Sequence, residues 1–261
     1  MKGGASLYSV KSFSLEGKKA VITGGTRGLC YDIAKAYHEL GATLVLLSRG
    51  DGTAAAAALS TPEAPAYWIG CDVGDPAQAS RAAEESLALL GGEIDILVNG
   101  AGIQYRAPAL EFPFDRWQAV LDVNLTGTFL MCQAFGRVMC RQGRGRIINI
   151  ASMCSFFGSV NIPAYSASKG GVAQLTKALS NEWASKGVNV NAIAPGYMET
   201  ELTKDLREKN PTLYEEISAR IPKGRWGRPE DLMGLAVFLA GDASEYVSGA
   251  VIPLDGGYLG K

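Results

Sequence analysis

Histidine is almost absent from these 261 residues: His38 stands alone, and the five cysteines, at 30, 71, 132, 140 and 154, form no C-x-x-C pair. That excludes a metal cluster built on the usual imidazole and thiolate spacings as well as a disulfide framework, and free thiols point to a reducing, cytoplasmic compartment. An excess of charge of one sign is also missing. With 25 Lys and Arg against 26 Asp and Glu, and no basic block, nothing suggests a nucleic-acid partner. Long hydrophobic runs are lacking too: residues 147–168 are uncharged, but Asn149, Asn161, Pro163 and several serines interrupt them, which argues against a membrane span. Residues 1–13 hold two lysines and no apolar core, so they read as a flexible arm and not as a secretory signal. No linker, repeat or low-complexity tract divides the chain, and 1–261 is expected to be one domain.

What is present is a rhythm. Short apolar runs at 17–23, 43–47, 66–70, 94–98, 146–150, 188–193 and 250–254 read as buried strands. Between them lie helical patterns at 33–40, 54–59, 76–90 and 114–141, a helix carrying Tyr165, and one at 229–239. This predicts an α/β fold with a doubly wound, seven-stranded parallel sheet and helices on both faces. The first strand runs into Gly24-Gly-Thr-Arg-Gly28 and then a helix, the opening of a nucleotide-binding βαβ unit. The polar stretch 200–221 breaks the rhythm at a strand's carboxyl end and is a candidate substrate lid. The helix at 114–141 has no charge between Asp122 and Arg137, which predicts burial on more than one face, including against another subunit.

Chemistry concentrates at Ser152, Tyr165 and Lys169. The four-residue step from Tyr165 to Lys169 puts a phenol and an ammonium on one helix face, where the cation is expected to draw the tyrosine pKa down from about 10. Ser152 follows the strand at 146–150, so its hydroxyl belongs at the strand's carboxyl end, where ligands bind in open parallel sheets.

Thr23-Gly24-x-x-x-Gly28, Asp72-Val73, Asn99-x-Ala101-Gly102, Asn124, Ser152, Tyr165-x-x-x-Lys169 and Pro195-Gly196-x-x-x-Thr200 occur in the order and spacing of the short-chain dehydrogenases/reductases. The chain resembles that family over nearly its whole length. The resemblance implies hydride transfer between nicotinamide and a ketone or secondary alcohol, with Tyr165 as general acid/base and Ser152 as donor to the substrate oxygen. Lys169 would lower the tyrosine pKa and bind the nicotinamide ribose, and Asn124 would hold a water beside Lys169. The cofactor would lie along Gly24, Thr26, Arg27, Gly28 and Leu29. It would continue past Asp72 and Val73 at the adenine, then Asn99, Ala101 and Gly102, and reach Pro195, Gly196, Met198 and Thr200 at the carboxamide. A homotetramer, or a homodimer, is implied as well.

Residue by residue, plainer readings stand beside these. Asn124 on a buried helix also reads as a satisfied core amide, Asp72 before a turn as a cap, and Arg27 as a solvated cation. Two positions depart from the family pattern. Cys30 replaces the third fingerprint glycine and adds volume where helix meets strand; Gly100 replaces the usual second asparagine. After the second strand, where an acidic residue would select NAD, the chain has Ser48 and Arg49, which predicts NADP(H). Asn181-Glu-Trp183, Arg225-Trp-Gly227 and Asp255-Gly-Gly257 are similar to the sugar-acid branch, such as the 2-deoxygluconate, ketodeoxygluconate and gluconate dehydrogenases. A reductase of bulkier natural-product ketones, or a cofactor-binding protein without turnover, are the alternatives.

Overall fold

A computed structural model describes residues 9–199 and 206–260. Seven parallel strands, β1 (Lys19–Thr23), β2 (Thr43–Ser48), β3 (Ala66–Gly70), β4 (Ile96–Asn99), β5 (Gly145–Ile150), β6 (Val188–Pro195) and β7 (Val251–Leu254), form one sheet in the order β3-β2-β1-β4-β5-β6-β7. The strands are apolar on both faces because both faces are covered. Ile22, Leu44, Leu46 and Val98 pack under α1 (Gly28–Glu39) and α9 (Pro229–Ala240). Val21, Val45, Leu97 and Ile147 pack under α3 (Pro76–Leu89), α5 (Gly127–Gln142) and α6 (Pro163–Trp183). The strand order reverses between β1 and β4, so the loops leaving their carboxyl ends diverge and open a crevice there.

The long helix expected at 114–141 is one continuous rod with a wide turn inside it. α4 (Phe114–Leu121) passes through a π-helical turn at Asp122–Thr126 into α5, and backbone angles stay helical at the junctions. One extra residue in that turn rotates Asn124 inward, where it is fully buried; such bulges are frequent at functional sites. Gly143, at φ 71°, ends α5 in the left-handed conformation that glycine adopts without strain.

Val10–Phe13, within the expected arm, forms a short 3-10 turn whose Phe13 ring lies 6.3 Å from Phe238 of α9. In the expected lid, α7 (Leu206–Lys209) and α8 (Pro211–Ala219) follow one another, and Ile217 and Ile221 are buried with Trp226; positions 200–205 lie outside the described residues. Among the described residues, no helix is long and apolar enough to cross a membrane, and no three His, Cys, Asp or Glu side chains gather into a metal site.

Candidate active site

The loops at the carboxyl ends of β1 and β4 touch. Thr23 Oγ1 accepts hydrogen bonds from the backbone N–H groups of Gly100 (3.0 Å) and Ala101 (3.1 Å). Gly24, at φ +69°, comes so close to Ala101 that a Cβ would stand 3.1 Å from its Cα. Gly28 has φ +58° and open space around it, so its backbone conformation is what requires glycine. Arg27 precedes α1 without capping it, which leaves the first N–H groups of a twelve-residue helix free to face an anion. Thr26 and Leu29 are half-buried beside this turn, while Arg27 is exposed.

The two departures from the family pattern meet here. A Cβ at Gly100 would overlap the Cys30 sulphur, so the thiol occupies the space that a side chain at 100 would need. Cys30 is buried, and burial pushes its pKa up to about 12, so it is a packing group and not a nucleophile. The crowding expected from Cys30 is therefore absent. The missing side chain lies seventy positions away, across the β1–β4 pair.

Ser152 is the N-cap of a 3-10 turn, Met153–Ser155, directly beyond β5; its Oγ accepts from Cys154 N at 3.2 Å, and Ser155 Oγ donates to the Lys169 carbonyl at 2.7 Å. Tyr165 and Lys169 stand one turn apart on α6, with Lys169 Nζ 5.7 Å from the phenol ring centroid. The ammonium is buried and donates to the Ile150 carbonyl at 2.6 Å; desolvation lowers its pKa to about 8. The Tyr165 pKa runs against expectation. Burial raises it above 10, and a hydrogen bond with Ser152 offsets only part of the rise. Lys169 does not lower it: its Nζ is committed to Ile150 O and stands 5.7 Å from the ring centroid.

Asn124 is satisfied as a core amide. Its Oδ1 accepts from Ile103 N (2.8 Å), and its Nδ2 donates to Ile103 O (2.9 Å) and Ser168 Oγ (3.1 Å), tying the loop after β4 to α6. Thr128 Oγ1 donates to its carbonyl at 2.8 Å.

On the β2 side, Asp72 Oδ1 accepts from Gly74 N at 3.0 Å, closing its own turn, and Oδ2 lies 3.9 Å from Arg49 Nη1. The Ser48 hydroxyl is engaged: it donates to Gly50 O (2.8 Å) and accepts from Trp68 Nε1 (2.9 Å). Val73 is buried. Asn99 turns into the core, where Nδ2 donates to Asn149 Oδ1 at 2.9 Å, so the backbone of Asn99, Ala101 and Gly102 is what the crevice presents. Pro195 ends β6, and Gly196 is a close approach, since a Cβ would stand 2.7 Å from Asp255 Cα. Met198 is buried against Gly227; Thr200 lies outside the described residues.

Two features escaped the sequence reading. From the sequence the pair Phe156 and Phe157 reads equally as packing or as a substrate wall, but the partners of Phe157 were not legible. Beyond Ser152, Tyr258 packs on Phe157 (6.1 Å between centroids) and Tyr197 (5.6 Å), and the Arg220 guanidinium lies 4.5 Å over its ring, so that together they form an aromatic wall. Trp68 is the other. An indole in a buried strand needs an acceptor, and β3 pairs with β2 so that Trp68 faces Leu46, two residues before Ser48 on the same sheet face.

Known proteins share the length and fold of this chain. A family model described as Enoyl-(Acyl carrier protein) reductase matches residues 24–259. A Bacillus subtilis (strain 168) protein named 2-dehydro-3-deoxy-D-gluconate 5-dehydrogenase is 44% identical over 255 residues, covering 97% of this chain and 99% of the relative. A crystal structure from Beutenbergia cavernae, described as an NAD(P) dependent gluconate 5-dehydrogenase with bound NADP at low occupancy, superposes with a TM-score of 0.91 at 46% identity, covering 96% of this chain and 100% of that one. A gluconate 5-dehydrogenase from Burkholderia cenocepacia J2315, in complex with NADP and tartrate, gives a TM-score of 0.91 at 40% identity, covering 96% and 98%. With both its length and its fold matched in this way, the chain belongs to the short-chain dehydrogenase/reductase family.

Proposed function

We propose that the protein is an NADP(H)-dependent oxidoreductase interconverting a secondary hydroxyl and a ketone on a sugar acid. The observation that carries this is the convergence of Ser152, Tyr165 and Lys169 at the carboxyl end of β5, beside the crevice. The cofactor supplies the hydride. In reduction Tyr165 gives its proton to the carbonyl oxygen as negative charge develops there, and Ser152 donates a hydrogen bond to the same oxygen. Lys169 binds the nicotinamide ribose, and a water held beside Lys169 at Asn124 returns the proton. The turn Gly24 to Leu29 with the free end of α1 holds the pyrophosphate. Asp72 and Val73 border the adenine, and Pro195, Gly196, Met198 and Thr200 the carboxamide. Ser48 and Arg49, with Arg27 opposite, take the 2′-phosphate. A charge-assisted bond there favours NADPH over NADH by about ten- to a hundredfold.

Arg220 favours the acid over a neutral ketone. It is exposed, has no acidic partner among the described residues, and is held over the Tyr258 ring of the wall beyond Ser152, so it is placed to meet a carboxylate. Screening sugar acids, neutral polyols and bulky ketones with both cofactors tests the reading. Turnover of the acids with NADPH or NADP⁺, and an Arg220→Gln variant whose KM rises about tenfold for acids and not for polyols, is expected. Turnover of bulky ketones alone would replace the substrate class, and none with any compound would favour a cofactor-binding protein. The homotetramer remains part of the proposal: Phe114 and Phe129, on α4 and α5, are exposed in the monomer, and light scattering decides. Five unpaired cysteines fit the cytoplasm.

A further inference from the structure

Three backbone segments surround the place assigned to the 2′-phosphate: the glycine turn at Thr26, the end of β2 at Ser48 and the start of α2 (Thr53–Leu59) at Gly52. One side chain, Trp68, bonds to the second and packs against the third. The Trp68 indole N–H donates to Ser48 Oγ at 2.9 Å. Its edge lies against Gly52 so closely that a Cβ there would stand 2.6 Å from Cδ1 and 2.9 Å from Nε1 and would overlap the Thr26 methyl. Glycine at 52 is thus what admits the ring, and the ring has no slack.

An indole N–H only donates, whereas a serine hydroxyl has one hydrogen and two lone pairs. By occupying one lone pair, Trp68 fixes the position of Ser48 Oγ and leaves its hydrogen to be directed outward, now to Gly50 O at 2.8 Å. A phosphate oxygen is the stronger acceptor and can take that hydrogen by rotation about the C–O bond alone, without moving Oγ. Donation by the indole also polarises the hydroxyl, which makes it a better donor. With a 2′-phosphorylated ribose the contact gains a charged acceptor, whereas an unphosphorylated one offers only a neutral hydroxyl.

We propose that Trp68 is a positioning residue for cofactor choice: its indole N–H holds Ser48 as a preset hydrogen-bond donor to the 2′-phosphate. This rests on the reading of Ser48 and Arg49 as the 2′-phosphate site. Calorimetric titration with adenosine 2′,5′-bisphosphate and with 5′-AMP reads the preference without turnover, in wild type, Trp68→Phe, Trp68→His, Ser48→Ala and the Trp68→Phe/Ser48→Ala double variant. The wild-type preference for the bisphosphate should fall about three- to tenfold in Trp68→Phe and in Ser48→Ala, and no further in the double variant. Trp68→His, which keeps an N–H donor, should recover part of it. An unchanged ratio in Trp68→Phe beside a reduced one in Ser48→Ala overturns the inference and leaves the 2′-phosphate site standing. Equal loss of both ligands in Trp68→Phe also overturns it, since that is packing alone. Wild type without a preference, or Ser48→Ala without an effect, removes the site and the inference together. A wild-type measurement avoids any folding defect: of the four tryptophan indole N–H signals, that of Trp68 should shift more with the bisphosphate than with 5′-AMP, and equal shifts would refute the assignment.

Discussion

The two ends of the sheet treat charge in opposite ways. At the amino ends of the strands, cations are matched by anions: Lys19 with Glu93 (3.1 Å), Arg144 with Asp95 (3.0 Å), Lys18 with Asp242 (3.4 Å), and Arg146 with Glu245. At the carboxyl ends the cations around the crevice are not, although Arg225 pairs with Asp231 (2.6 Å) farther out, beyond β6. Lys169 has a carbonyl for a partner, Arg27 has no ion pair among the described residues, and Arg49 reaches Asp72 only at 3.9 Å. Paired charge holds strands in place, whereas unpaired charge is positive potential kept for a ligand that carries phosphate and, on the proposed substrate, carboxylate. The amino end should therefore govern stability and the carboxyl end activity.

The sharpest way to break that comparison is to remove one group from each end. Tyr165→Phe takes away the proton donor and leaves the ring, so kcat should fall a hundredfold or more with NADPH affinity and melting temperature nearly unchanged. Arg146→Ala should do the reverse. Its side chain is 9% exposed between Glu245 and Asp242, so its loss should lower stability by about 2 kcal/mol, a fall of roughly 4–8 °C in Tm, and leave kcat/KM within about twofold. Wild-type rates in Tyr165→Phe, or a large catalytic loss in Arg146→Ala, would show that the division is not there.

Lys169→Met is expected to join the two measurements at one position. In the cofactor-free protein, burial holds the ammonium at a pKa of about 8 against 10.5 in the unfolded chain. Between those values the unfolded state binds more protons, so the stability penalty is complete below pH 8 and disappears as pH rises to about 10.5. The methionine variant, without that penalty but also without the bond to Ile150 O, should be more stable than wild type by about 1–2 kcal/mol at pH 7. That advantage should shrink across pH 8 to 10.5, while activity is lost at every pH. Urea titrations of both proteins at three pH values measure it. An advantage that does not change with pH would mean that the ammonium is not desolvated.

Much of this was legible in the sequence because it is local. Strand runs, the glycine turn and the one-turn step from Tyr165 to Lys169 each follow from neighbouring residues, and all seven strands lie within a few positions of their expected places. What was not legible depends on contacts between distant residues. The π-turn that buries Asn124 needs Ile103 and Ser168 as partners. The Tyr165 pKa is raised by burial of the phenol, while Lys169 Nζ is held by a carbonyl on β5, and spacing along α6 reveals neither.

The smallest effect concerns the packing on which the carboxyl end rests. Read separately, Cys30 is a crowding residue and Gly100 a missing side chain, so Cys30→Gly alone would be expected to relieve strain and tighten NADPH binding. Their contact reverses that expectation. Because the thiol fills the space beside Gly100, Cys30→Gly should open a small cavity and place a glycine in α1, at a combined loss of about 1–2 kcal/mol without tighter NADPH binding. Gly100→Ala alone forces a Cβ into the sulphur, and overpacking of this kind costs about 1–3 kcal/mol. In the double variant the alanine methyl takes the place of the thiol, so the two losses should not add; the coupling in a double-mutant cycle should be about 1 kcal/mol. Chemical denaturation of the four proteins measures it. Additive losses would mean that helix and loop shift independently, and the fit between β1 and β4 would then owe nothing to this pair.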